Sequence, residues 1–304
     1  MMQPVRPSRS SAWRLTVALA AAVSALPLAA QRPAPLTTPP QWLNADTSKK
    51  VNQSNFRAVE QWPTPNEYRT ASGSPGPKYW QQKVDYVIRT SLDTVRHEIS
   101  GTERVTYHNN SPNALPYLWF QIDQNVEKPD SRAAVSARPL PKGLAAMTPQ
   151  AMRMLGLGGE EAQKLGMRIG RVRTIGADGA RKDAQCFVNG TSMRIELPAT
   201  VASGQSTQLE IEWAYAVPEI GRNTQRNARD KVMDGWEYEI AQWYPRAAVY
   251  DDVSGWTNDQ FYSQGEFYQE FGDFDVTMTV PHDHIVRATG VLQNPLDVLT
   301  ATQR

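Results

Sequence analysis

The sequence predicts a mainly β protein: a twisted antiparallel saddle or sandwich of about ten strands with a short helical insertion. Three observations predict it. Apolar and polar residues alternate at period two in segment after segment, so each segment can bury one face. Polar clusters such as Asn109-Asn110-Ser111-Pro112-Asn113 and Gly176-Ala177-Asp178-Gly179 separate those segments and read as turns. Nine tryptophans and eleven tyrosines among 304 residues favour strands.

The elements follow in order. Met1 to Ala30 reads as a secretory signal: Arg6, Arg9 and Arg14 precede the apolar run LTVALAAAVSALPLAA, and Ala29-Ala30 offers small residues for cleavage. An uncleaved anchor is the alternative, although the run is short for a membrane span. Export to a periplasmic or extracellular space follows, with no span left after cleavage. Residues 31–77 read as a proline-rich tether, with RPAPLTTPP and SGSPGP fixing φ and removing donors. Trp42 and Trp62 are candidates to dock on the domain that follows.

That β domain is expected over residues 78–304. Val84, Tyr86, Ile88 and Leu92 share one face of its first strand, and Ile99, Val105 and Tyr107 one face of the next. Leu115 to Ile122 is almost continuously apolar, which predicts burial on both faces. Residues 145–168 hold the helical insertion, with Thr148-Pro149 as a start and Gly156, Gly158 and Gly159 as a break. Met147, Met152, Met154 and Met167 are expected to pack inward rather than bind metal. Strands resume at Ile169 to Ile175, Cys186 to Val188, Ser192 to Leu197 and Gln208 to Val217. Pro218 to Asp234 has no pattern and reads as a loop. Trp236 to Ile240, Phe274 to Val280 and Ile285 to Val291 complete the strand set.

Net charge is +1, with both signs mixed and no basic stripe, which argues against nucleic acid as a partner. The one cysteine, Cys186, excludes an internal disulfide, so the fold must rest on its apolar core. The richest chemistry lies between Gln242 and Pro281. Trp243, Tyr244, Tyr250, Trp256, Phe261, Tyr262, Phe267 and Tyr268 are interleaved there with Arg246, Asp251, Asp252, Glu266 and Glu270. Aromatics with polar tips beside carboxylates suit a surface that receives something. Carbohydrate or protein binding is one reading. A glycosidase pair is a weaker one, because a solvated acidic rim has the same composition. His282-Asp283-His284 lacks the further ligands that zinc wants, and His97-Glu98 lacks the second histidine of H-E-x-x-H. No G-x-S-x-G is present.

The segments QWYPRAAVYDD from Gln242, GEFYQEFGDFDVTMTVP from Gly265 and VRATGVLQNP from Val286 resemble the end of the N-terminal domain of the gluzincin zinc aminopeptidases, the family of aminopeptidase N and leukotriene hydrolase. VDYVIRTSLD, ISGTERVTYHNNSPNALPYLWFQI and STQLEIEWAYAV resemble that domain's opening strands, in the wording of a secreted bacterial branch. The resemblance implies a saddle-shaped β domain that walls one side of an active cleft. It implies zinc for the full-length family enzyme, whose metal-bound water attacks the first peptide bond, and peptide amino termini as the partner. The family's catalytic motifs, G-x-M-E-N and H-E-x-x-H, are not in this sequence. No catalytic residue and no metal ligand is therefore assigned here. One role carries over by resemblance: Gln242, with Glu239 as the alternative, stands where the family places a contact to the substrate's amino group.

Overall fold

The computed structural model describes residues 65–136, 164–219 and 226–304, apart from the single positions 234, 264 and 266. The signal and most of the tether lie outside the described residues. So do Met147, Met152 and Met154 and nearly all of the segment read as a helical insertion. The described chain forms one compact unit, Asn66–Arg304.

It is mainly β. The first half supplies β1 (Lys83–Asp93), β2 (Glu98–His108), β3 (Leu115–Gln121), β4 (Arg168–Ile175), β5 (Arg181–Asp183), β6 (Cys186–Asn189) and β7 (Ser192–Val201). The second half adds β8 (Ser206–Ala216), β9 (Asn227–Val232), β10 (Gly235–Ile240), β11 (Arg246–Ala247), β12 (Tyr250–Asp251), β13 (Gly255–Trp256) and β14 (Phe274–Thr279). A 3-10 turn at Asp123–Glu127 and the helices α1 (Arg132–Ser136) and α2 (Pro295–Val298) are short.

A six-stranded sheet runs β14-β1-β2-β8-β4-β5, and a four-stranded sheet runs β11-β3-β7-β6. Their inward faces meet in one core. Val84, Tyr86 and Ile88 from β1, Val105 and Tyr107 from β2, and Leu209, Ile211, Trp213 and Tyr215 from β8 pack with Leu118 and Phe120 from β3 and Met193 and Ile195 from β7. Each fully buried side chain of this kind contributes about 1.5–3 kcal/mol relative to exposure. Met167 joins the core at 3% exposure, as its apolar character predicts. Leu118, Trp119 and Phe120 are consecutive and all buried, so the end of β3 is covered on both faces.

Two expectations are corrected. Pro218 to Asp234 is not wholly loop: β9 lies within it and pairs antiparallel with β10. Its alternate Asn227 and Arg229 are the inward residues, and they are polar, so the usual apolar period is missing. Ile285 to Val291 forms no strand: the chain turns at His282-Asp283 and then runs on without pairing to a described strand. Within the otherwise antiparallel six-stranded sheet, β14 pairs parallel with β1, from Tyr86 against Phe274 to Ser91 against Thr279. A parallel partner needs a long crossover rather than a hairpin, and the long excursion after β1 provides it. The backbone at Gly272 passes so close to the Val84 carbonyl that a side chain there would collide with it.

A polar niche beside Gln242

β3 ends at Gln121, and the 3-10 turn then buries three consecutive polar residues, Asp123, Gln124 and Asn125. Buried polar groups need partners, and these find them across the fold. Asp123 pairs with Arg246 at the head of β11, both side chains being 4% exposed. Burial pushes the Asp123 carboxyl above its ordinary range, and the attraction of Arg246 offsets part of this. The Arg246 guanidinium also lies over the Phe267 ring at 4.9 Å. Asn125 donates to the Gly190 carbonyl at 2.7 Å and accepts from the Met167 amide at 2.8 Å.

Gln124 faces the connection between β10 and β11. Its amide nitrogen donates to the carbonyls of Ala241, at 2.9 Å, and Gln242, at 3.0 Å. Its oxygen accepts from Asn227 Nδ2 at 2.6 Å, and Asn227 Oδ1 accepts from the Tyr215 hydroxyl at 3.2 Å. Gln242 has φ +49°, and Ser263 has φ +63°. Non-glycine residues enter that region at a cost of about 1–2 kcal/mol each, and such residues gather at functional sites.

Gln242 and Ser263, with Asp123, Gln124, Glu127, Asn227, Val126 and Phe261, line a small niche. It offers about 10 Å³ to the centre of a water-sized group, enough for one water or one ammonium. The lining is rich in oxygen acceptors, which suit a donor cation. Glu239, the other candidate, lies on β10 opposite Ala228, faces solvent and does not line the niche.

The aromatic run is mostly turned inward. Trp243 packs against Trp213 at 5.7 Å, and Tyr244 against Tyr86 at 5.5 Å. Tyr250 stacks on Trp80 at 5.6 Å and meets Trp256 at 4.9 Å. Tyr262 and Tyr268 stay substantially exposed. Three carboxylates of the run, Asp251, Asp252 and Glu270, are engaged within the chain. Asp252 takes two bonds from Arg69, at 2.8 and 2.9 Å. Asp251 accepts the amides of Val253 and Ser254 and the Tyr268 hydroxyl. Glu270 accepts the Tyr250 amide at 3.2 Å. Burial pushes the Glu270 carboxyl up to about 7; the Tyr250 amide opposes the rise and Asp251 adds to it. Glu266 lies outside the described residues.

His282 and His284 sit in an exposed turn after β14, with His284 Nδ1 2.8 Å from Asp283. Cys186 is a free, half-buried thiol, and burial raises its pKa. Among the described residues no three of His, Cys, Asp and Glu come together as a metal ion would require. These residues do not fit a zinc ion. No described helix is long and apolar enough to cross a membrane.

The niche itself was not legible from the sequence. The one available signal was the polar triplet Asp123-Gln124-Asn125 directly after an apolar strand, where a turn would ordinarily face solvent.

No protein-family profile and no curated protein sequence matches the chain. Solved structures similar to it include an M1 zinc metallopeptidase from Deinococcus radiodurans, a point mutant bound to a Tyr-Ser-Ala substrate, with 12% identity over 72% of this chain and 37% of that one and a TM-score of 0.34. A second structure of M1 zinc metallopeptidase from the same organism matches with 12% identity over 69% of this chain and 35% of that one, at a TM-score of 0.35. The chain thus spans little more than a third of the structures it resembles. At that level of likeness, function has to be argued from the site.

Proposed function

We propose that this chain is the N-terminal β domain of an exported zinc-dependent aminopeptidase, walling one side of the cleft and contacting the amino group of the peptide substrate through Gln242. The observation that carries the reading is the placement of Gln242: a glutamine with φ +49° beside a niche of about 10 Å³ lined by oxygen acceptors. An ammonium is close to water in size, and an amide oxygen beside carboxylates accepts its hydrogens well. Exposed apolar residues in the last part of the chain support the reading. Phe271, Ile285, Val291 and Leu296 are each more than 70% exposed, as a surface covered by further polypeptide would be. The metal chemistry would belong to residues outside those described here, and no step through it is assigned to this chain. The binding-module and glycosidase readings draw on the Asp251 to Glu270 loop, in which Asp251, Asp252 and Glu270 already accept bonds from within the chain.

The test is a titration of isotope-labelled protein with leucinamide and with N-acetyl-leucinamide, followed by NMR. Free-amine binding should move the signals of Gln242, Ser263 and Asn227 with a millimolar Kd, about −4 kcal/mol. The acetylated compound should leave them in place, and Gln242→Ala should abolish the response. Equal responses to both compounds, or none to either, would sink the reading.

A further inference from the structure

Gln242 needs something to hold it in a backbone conformation that L side chains disfavour, and the structure offers one side chain placed to do so. Gln124 is 4% exposed. Its single amide nitrogen has two hydrogens and uses both on successive carbonyls, those of Ala241 and Gln242. That double donation fixes the orientation of the amide, because a reversed group would set its oxygen against two carbonyl oxygens. The orientation passes down a buried chain: Gln124 Oε1 must accept, so Asn227 Nδ2 donates to it, and Asn227 Oδ1 is left for the Tyr215 hydroxyl. Asn227 is 3% and Tyr215 1% exposed. The chain therefore runs from β8 in the large sheet, through the start of β9 and the 3-10 turn, to the connection that carries Gln242.

Resting on the reading of Gln242 as an amine contact, we infer that Gln124 is a positioning residue: it clamps the Ala241 and Gln242 carbonyls, keeps Gln242 in its left-handed conformation and so aims the Gln242 side chain at the niche. Gln124 also lines the niche, so its positioning role is read from the backbone of residues 241–243 and not from affinity alone.

The test compares Gln124→Met, which keeps the volume and removes both donated bonds, with Asn109→Ala as a control. Asn109 is also a fully buried amide, but it ties the Asn113 and Val201 carbonyls far along the chain from Gln242. Two readouts are taken. One is the backbone of residues 241–243, from NMR shifts, amide exchange and a crystal structure of the variant. The other is leucinamide affinity. In Gln124→Met, φ of Gln242 should move to negative values, exchange at 241–243 should quicken at least tenfold, and leucinamide should bind at least tenfold more weakly. The control should lose stability and change neither readout. If Gln242 keeps its wild-type shifts and exchange in Gln124→Met, the inference is overturned. If wild-type protein binds no leucinamide, the amine reading fails, while the backbone readout still decides what Gln124 does. Should Gln124→Met not fold, Gln124→Ala removes the same two donated bonds and is read by the same signals. An unchanged 241–243 backbone there overturns the inference equally.

Discussion

Replacing Glu103 probes the least satisfied group in the core. Its side chain lies on the inward face of β2, is 1% exposed, and neither carboxyl oxygen has a hydrogen-bond partner. Burial raises the pKa values of the Tyr86 and Tyr244 hydroxyls, and the nearby Glu103 carboxyl adds to both rises. Burial alone pushes Glu103 well above its ordinary 4.5. The folded chain therefore keeps a proton there that the unfolded chain releases. With more protons bound in the folded state, stability falls as pH rises. The loss begins near pH 4.5 and runs at about 1.4 kcal/mol per unit until the folded-state value is passed. Glu103→Gln keeps the shape and removes the titration. Glu103→Met also removes the unpaired oxygens, whose burial costs about 1–3 kcal/mol. Urea unfolding in half-unit steps from pH 4.5 to 8 measures both. The wild-type profile should fall relative to Glu103→Gln with that slope. Glu103→Met should be the more stable protein throughout, by a margin that widens with pH. Parallel profiles for wild type and Glu103→Gln would refute the reasoning, because they would mean that the carboxyl ionises freely in the fold.

Three further outcomes are expected. Removing one partner of the buried Asp123–Arg246 pair, as in Arg246→Met, should cost about 3–5 kcal/mol in denaturant unfolding, and the double variant with Asp123→Leu should recover much of it. Gly272→Ala drives a methyl group into the Val84 carbonyl. It should cost about 1–3 kcal/mol, with amide exchange of Phe274–Thr279 rising more than that of β2; uniform exchange across the sheet would contradict the contact. The Tyr250 amide, bonded to Glu270, should titrate in NMR with a midpoint near 7, and the step should vanish in Glu270→Gln. Because that pKa is raised, the contribution of Glu270 to stability is greatest below 4.5 and is lost as pH climbs towards 7. A midpoint near the ordinary 4.5 would show the group to be solvated.

The sequence by itself determined the strands whose alternation is clean. Val84, Tyr86 and Ile88 in β1, and Leu209 to Tyr215 in β8, announce a buried face because period two is written in neighbouring residues. It also marked the segment that holds Gln242, through its density of aromatic and charged side chains. It did not announce β9, whose inward residues are Asn227 and Arg229, because a polar inward face breaks the only local signal a strand has. Tertiary structure alone decided that Asp123 meets Arg246, that β14 lies parallel to β1, and that Gln124 holds the carbonyls of residues more than a hundred positions away. Those contacts join residues far apart in the chain, and local periodicity carries no information about which distant segments meet. The niche beside Gln242 belongs to the tertiary structure for the same reason: it exists where the 3-10 turn, the start of β9 and two left-handed residues converge.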